Sequence, residues 1–177
     1  MRAGLTVAAL LTTACVTTEV RSSPGPGALL ALSPGSLGRE LHLAQRVTVH
    51  RGDQTWAFDA QLEADAHVVQ LAAFLLGQTV AKLSWDGATM EQSHSERAPD
   101  VVTPERILSD VQLAFWPAAA VREGLPSGYS LLDDGARRTV LHDGRPFVSV
   151  NVGDLARVEL EHHAYGYRLT IESKEAP

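Results

Sequence analysis

TPERILSDVQLAFWPAAAVRE, residues 103–123, is the one long helical pattern in a chain of 177 residues that otherwise reads as strands and turns. Ile107, Leu108, Val111, Ala114, Phe115 and Ala118 recur at the spacings of one helix face, with Glu105, Arg106, Asp110 and Gln112 elsewhere on the helix. Thr103 offers the hydroxyl of an N-cap, Pro104 suits the first helical position, and Pro117 disfavours helical geometry at Trp116. The pattern predicts two short helices, over 104–115 and 117–123, with a kink between them. Leu113 and Trp116 fall off the main stripe, which is wasteful on a helix covered on one side and sensible if both sides meet apolar surface. The pair is expected to be a kinked plug that the rest of the chain surrounds.

On either side of the plug the period is two. Leu41, Leu43, Val47 and Val49 alternate with Glu40, His42, Arg46 and Thr48, and after the turn at residues 51–53, Trp56, Phe58, Ala60 and Leu62 alternate with Thr55, Asp59, Gln61 and Glu63. Strands at 67–76 and 78–85 meet tightly at Gly77, and Asp86-Gly87 turns the chain into a fifth at 89–93. After Pro126 come five more, at 129–132, 138–142, 146–152, 156–162 and 167–173, separated by Asp134-Gly135, Asp143-Gly144, Gly153 and Gly166. Ten antiparallel strands with one apolar face each curl, and the helices are the apolar object to fill the concave side. The expected fold is mainly β with a helical lid, a single curled antiparallel sheet enclosing two short helices. Trp56, Phe58, Trp85, Val111, Phe115 and Trp116 aim at the enclosed space, as the lining of a hydrophobic pocket or as a solid core.

Residues 1–14 read as a secretory signal: a basic start at Arg2, an apolar run over 5–11, small residues and no acid. Cys15, the sole cysteine, follows Leu11-Thr12-Thr13-Ala14, which resembles the lipobox of bacterial lipoproteins, although the leucine stands one place early. The resemblance implies that Cys15 is lipidated and becomes the first residue of the mature protein, and Val16 after it implies the outer membrane. Several acyl chains anchor stably where one binds only marginally. Residues 15–37, rich in Ser, Pro and Gly, read as a tether with a reach of roughly 25 Å, with a short strand at 28–32. The folded domain is expected over 38–177.

Removing residues 1–14 takes away Arg2 and no acid, so the formal charge of −6 becomes −7. An acidic balance without a Lys/Arg cluster argues against nucleic acid and against charge-driven lipid binding. No catalytic constellation is expected. His162 and His163 are adjacent and point to opposite sides of a strand, no two histidines stand at a zinc-binding helical spacing, and no serine sits in a Gly-x-Ser-x-Gly elbow. Neither a metal nor a cofactor is expected. The paired Asp133-Asp134 and the strand acids read as a solvated face.

The ordered features, namely the lipobox, the tether, GRELHLAQRVTVHRG at 38–52, Phe74-Leu75-Leu76-Gly77-Gln78, RILSDVQLAFWPAAAVREGLP at 106–126 and HDGRPFVSVNV at 142–152, resemble a family of uncharacterised bacterial outer-membrane lipoproteins. Its members tend to be encoded beside fatty-acid-like or aryl-polyene biosynthesis genes. That family is similar to the lipoprotein-localisation factors LolA and LolB, carriers with an incomplete antiparallel barrel closed by a helical lid over an acyl-chain cavity. The resemblance implies a protein that binds or transfers a lipid or acyl-chain ligand, with an envelope export machine as a further partner. In the LolB-like factors the matching hairpin uses the apolar residue before its glycine at the membrane, which implies membrane contact through Leu76 with Leu75. The alternative reading is an accessory lipoprotein with a filled core.

Overall fold

The alternation over residues 41–62 becomes a long hairpin, and the whole sheet is built outward from it. The computed structural model describes residues 20–22, 29–95 and 103–176. The strands are β1 (Val20–Ser22), β2 (Leu41–Arg51), β3 (Gln54–Ala64), β4 (Val69–Leu75), β5 (Gln78–Trp85) and β6 (Met90–His94), then β7 (Tyr129–Asp133), β8 (Arg137–His142), β9 (Arg145–Asn151), β10 (Arg157–His162) and β11 (Tyr167–Glu175). Between β6 and β7 lie α1 (Pro104–Phe115) and α2 (Ala118–Gly124). The sheet runs β1-β6-β5-β4-β3-β2-β11-β10-β9-β8-β7, antiparallel throughout and not closed, so β1 and β7 are its free edges. Two meanders, one before the helices and one after, are fused where β2 pairs β11 over eight positions from Arg168↔His50 to Glu175↔Leu43. This is the incomplete barrel with a helical lid that the pattern predicts, with β1 as a three-residue addition at one edge.

The inner face follows the alternation. Phe58, Ala60, Leu62 and Ala64 of β3, Val69, Leu71 and Ala73 of β4, and Leu169 and Ile171 of β11 are buried together with Leu108, Val111, Leu113 and Phe115 of α1. Each aliphatic side chain so buried contributes roughly 1.5–3 kcal/mol. α1 starts where its cap is: the Thr103 hydroxyl accepts from the Arg106 N–H at 3.4 Å and Pro104 stands first in the helix. It ends at Trp116, whose ψ of 152° is the extended backbone that a following proline imposes. Arg138 of β8 then donates to the carbonyls of Leu113 and Trp116, both at 2.7 Å, closing the last turn. Its guanidinium pKa is pulled down by burial, opposed by Asp133 at 3.7 Å.

Several expectations change here. The tether reading of 15–37 does not hold for residues 29–37, which belong to the folded domain: Leu30, Leu32 and Leu37 are buried, and Pro34–Leu37 forms a 3-10 turn. Nor does the segment 29–32 form a strand. Its backbone pairs with side chains instead: Leu30 N–H donates to Ser109 Oγ at 3.1 Å, and Leu32 donates to Gln112 Oε1 and accepts from Gln112 Nε2, each at 2.9 Å. Trp85 Nε1 adds a bond to Leu32 O at 2.8 Å. A Cβ built on Gly124 would run into Leu32 Cδ2, so that glycine is what lets the segment lie against α2. The segment is a strap across one end of the sheet. Gln112 and Asp110, placed by the helical pattern away from the apolar face, are therefore buried, because the helix is enclosed on all sides. Asp133, read as solvated, is largely covered and faces Arg138. Cys15 and the signal lie outside the described residues.

Candidate functional site

At the end of the sheet opposite the strap, α1 and the strands separate enough to leave a cleft. Its walls are Val47 and Val49 of β2, Phe58 of β3, Val80 of β5, Leu169 and Ile171 of β11, and Ile107 and Val111 of α1. The cleft volume is about 70 Å³, and its surface is almost entirely apolar. Larger depressions of about 300, 460 and 470 Å³ lie on the outer face among residues such as Glu63, Lys82, Asp59 and Glu161. Those are open and polar, so volume alone does not make them ligand sites; enclosure by apolar walls singles out the smaller cleft.

Four polar residues touch it. Gln45, buried on β2, donates from Nε2 to Ser173 Oγ at 3.0 Å. Asp110 on α1, 5% exposed, faces β10 and β11: its Oδ1 lies 2.7 Å from His162 Nε2 and its Oδ2 accepts from Tyr167 OH at 3.4 Å. A carboxylate oxygen only accepts, so the short contact places a proton on His162 Nε2. Nδ1 is buried and has no hydrogen-bond partner among the described residues. Burial, and after it the Asp110 carboxylate, push the Tyr167 phenol far above its usual pKa, with the Arg106 charge opposing. Arg106 itself lies over the Tyr165 ring at 4.2 Å. The His162 and Tyr167 rings sit 4.5 Å apart and Tyr165 stacks on Tyr167 at 6.4 Å, so the first half of α1 rests on an aromatic bed.

Of the residues expected to line a cavity, Phe58 and Val111 are on the cleft wall. Trp56 is half-buried, two residues from Phe58 on the same face of β3. Trp85 and Trp116 are brought together elsewhere, under the strap: Trp116 is fully buried and its Nε1 donates to Ser36 Oγ at 3.1 Å. Phe115 is buried in the core and does not reach the cleft. Leu75 is half-buried at the cleft end of β4, while Leu76 is 97% exposed with φ of +51°. The sequence pattern missed Asp110, His162 and Tyr167 as a group, because nothing local links residues on α1, β10 and β11. Pairing of a helical acid with an inward-facing strand histidine was the only available signal.

Among the described residues no group of three or more His, Cys, Asp or Glu side chains could hold a metal ion, and no helix is long and apolar enough to cross a membrane. The Ser149 hydroxyl lies 3.0 Å from Nε2 of the exposed His163.

Residues 42–175 match the family described as Protein of unknown function (DUF3261). No curated protein matches the chain. Among solved structures, the crystal structure of a DUF1329 family protein from Desulfovibrio piger is similar at 10% identity and a TM-score of 0.47, covering 80% of this chain and 87% of that one.

Proposed function

The chain belongs to the DUF3261 family of proteins of unknown function, and from that starting point we propose that it is an outer-membrane lipoprotein, anchored through Cys15, whose periplasmic domain binds or hands over a lipid-like molecule without changing it chemically. The observation that carries this reading is the apolar cleft between α1 and the concave face of the sheet. Hydrophobic ligands bind in enclosed apolar spaces with few polar groups, and this cleft has that character.

Leu76 supports delivery at a membrane. Leu76 and Gly77 both have positive φ, +51° and +76°, the two-residue turn for which Asn-Gly is the usual sequence. A leucine there stores about 1 kcal/mol of backbone strain and holds its whole side chain in water. Neither cost serves folding. By strand register Leu76 stands three residues beyond Ala73 of the cleft, about 10 Å along β4, so a bilayer touching Leu76 also faces the cleft.

A second reading, an accessory lipoprotein with a filled core that serves an envelope export machine, is favoured by the small volume of the cleft and by the solid packing under the strap. The experiment that separates the two is extraction of the soluble domain lacking Cys15, purified from cells without detergent, followed by mass spectrometry and titration with a fluorescent fatty acid. Extractable acyl species or saturable binding is expected. Repeated absence of both leaves the accessory reading. Cys15→Ala is expected to release the protein from the outer membrane, and a cleaved variant that stays tightly bound would refute anchoring.

A further inference from the structure

We infer that the domain docks with the rim around its cleft against the same bilayer that holds Cys15, an inference that rests on the anchoring through Cys15 proposed above. The direction of β1 carries it. Val20 pairs Gln92 and Ser22 pairs Met90, so β1 runs antiparallel to β6 and enters from the rim that carries the β4–β5 turn at Leu76-Gly77. Through Gln92 and its partner Leu83, Val20 lies level with Leu83 of β5. From Leu83 back to Gln78, the first residue of β5, is five steps along the strand, about 17 Å. From Val20 back to Cys15 is also five steps, at most about 18 Å of chain. Continued in the line of β1, those steps end level with the Leu76 turn. The link is too short to let the domain stand clear of the membrane.

The two rims differ in what they offer a lipid surface. At the strap rim every hairpin turn holds an aspartate that accepts the N–H two residues on: Asp65 from His67, Asp86 from Ala88, Asp134 from Ala136 and Asp154 from Ala156. Carboxylates fixed in turns are costly to desolvate and repel an anionic leaflet at close range. Leu155, beside Asp154, is only 36% exposed.

The cleft rim is different in kind. Leu76 projects from it almost wholly exposed, and the exposed Arg51 and Arg145 stand beside the β2–β3 and β8–β9 turns with Asp53 and Asp143 as near neighbours. The half-buried Trp56 and Tyr165 lie just inside it, and rings with one polar edge suit the headgroup layer. In the sheet order β1-β6-β5-β4 the Leu76 turn is two to three strand spacings from β1, roughly 12 Å. Cys15 and Leu76 thus give two neighbouring points of attachment on one rim, and the bilayer that anchors the protein is the one its cleft opens onto.

The test uses the mature lipidated chain reconstituted in vesicles of phosphatidylethanolamine and phosphatidylglycerol. Lipidation takes up the Cys15 thiol, so Leu76→Cys and, at the exposed strap rim, Ala88→Cys each offer one thiol for an NBD fluorophore. A doxyl-labelled phosphatidylcholine quencher is placed either in the protein's own vesicles or in vesicles added afterwards. Quenching of the label at 76 from the protein's own vesicles is expected, with the label at 88 unquenched. Equal quenching at both positions, quenching at 76 only from added vesicles, or none at either position overturns the inference while lipidation stands. A chain that carries no acyl group on Cys15 and fails to float with the vesicles overturns the anchoring and this inference with it. A Gly-Ser spacer of about ten residues between Cys15 and Val20 more than doubles the link and is expected to lower the quenching at 76. Unchanged quenching means that the short link to β1 does not hold the rim down, and the inference fails.

Discussion

Two sides of α1 meet their surroundings in opposite ways. The side carrying Ser109 and Gln112, together with Trp116 just beyond the helix, lies under residues 29–37: Ser109 and Gln112 read the strap's backbone, Trp116 Nε1 finds Ser36, and Arg138 takes the terminal carbonyls. The side carrying Arg106, Ile107, Asp110 and Val111 lies on rings and valines, with a cleft beneath it and a buried Asp110-His162 pair whose outer nitrogen has no partner among the described residues. A strap fills one end, and no described residue fills the other. Among the described residues, where the interior is open is set by how far the strap at 29–37 reaches under the lid, since the sheet and helix have the same apolar character at both ends.

Removing Trp116 is the hardest test of that contrast. Trp116→Ala is expected to cost about 3–5 kcal/mol in urea unfolding because it leaves a closed cavity in packed surroundings. Trp56→Ala, at the half-buried cleft end, should cost less than half as much. Equal losses would mean that both ends are solid core. Next in size is Gln112→Leu, which keeps the volume and strands the N–H of Leu32 while its C=O keeps the bond from Trp85: a loss of about 1–3 kcal/mol is expected. The strap should also become susceptible to proteolysis, and an unchanged digestion pattern would show that the strap is held by its leucines alone.

Alkaline pH probes the other side. The folded protein holds the Tyr167 proton well above the point, near pH 10, where an unfolded chain releases it. The stability that comes from the protonated phenol is thus fully present below about pH 10 and is lost as pH rises above it, by up to about 1.4 kcal/mol per pH unit. Unfolding free energies of the parent and of Tyr167→Phe measured from pH 8 to 11 should converge by that slope. Parallel curves would place Tyr167 outside the buried cluster. The smallest effect is expected at the hairpin tip, where Leu76→Asn relieves the positive φ and should raise stability by about 0.5–1 kcal/mol. A loss on that change would mean that Leu76 is packed rather than presented. For transfer the direction reverses: Leu76→Glu should slow delivery of a bound fluorescent fatty acid to liposomes, and an unchanged rate would remove Leu76 from the delivery step.

Most of the element list was legible in the residues. The helix break at Trp116 follows from Pro117, the hairpins from Gly77, Gly144 and Gly166, and the ten long strands from alternation, because each depends on residues a few positions apart. Even the enclosure of α1 could be read from Leu113 and Trp116 off its main stripe, both now fully buried. The strap was not legible. Ser, Pro and Gly over 22–35 have the composition of a linker, and Leu30 and Leu32 are recognised through their backbone by side chains some 80 residues away, which imposes no local pattern.

The cavity residues divide along the same line. Trp56, Phe58, Trp85, Val111, Phe115 and Trp116 were identified as inward-facing from periodicity, which is a property of one strand or one helix turn. Whether an inward residue meets a cleft, as Phe58 and Val111 do, or closes a solid end, as Trp85 and Trp116 do, depends on what lies opposite. That partner is set by the fusion of two meanders at β2 and β11 and by the path of the strap, both contacts between segments far apart in the chain. The sequence by itself determined which residues turn inward, through local sterics and a period of two or 3.6. Only the tertiary structure decided where the interior is full and where it is open, because packing is a sum over neighbours that no single segment contains.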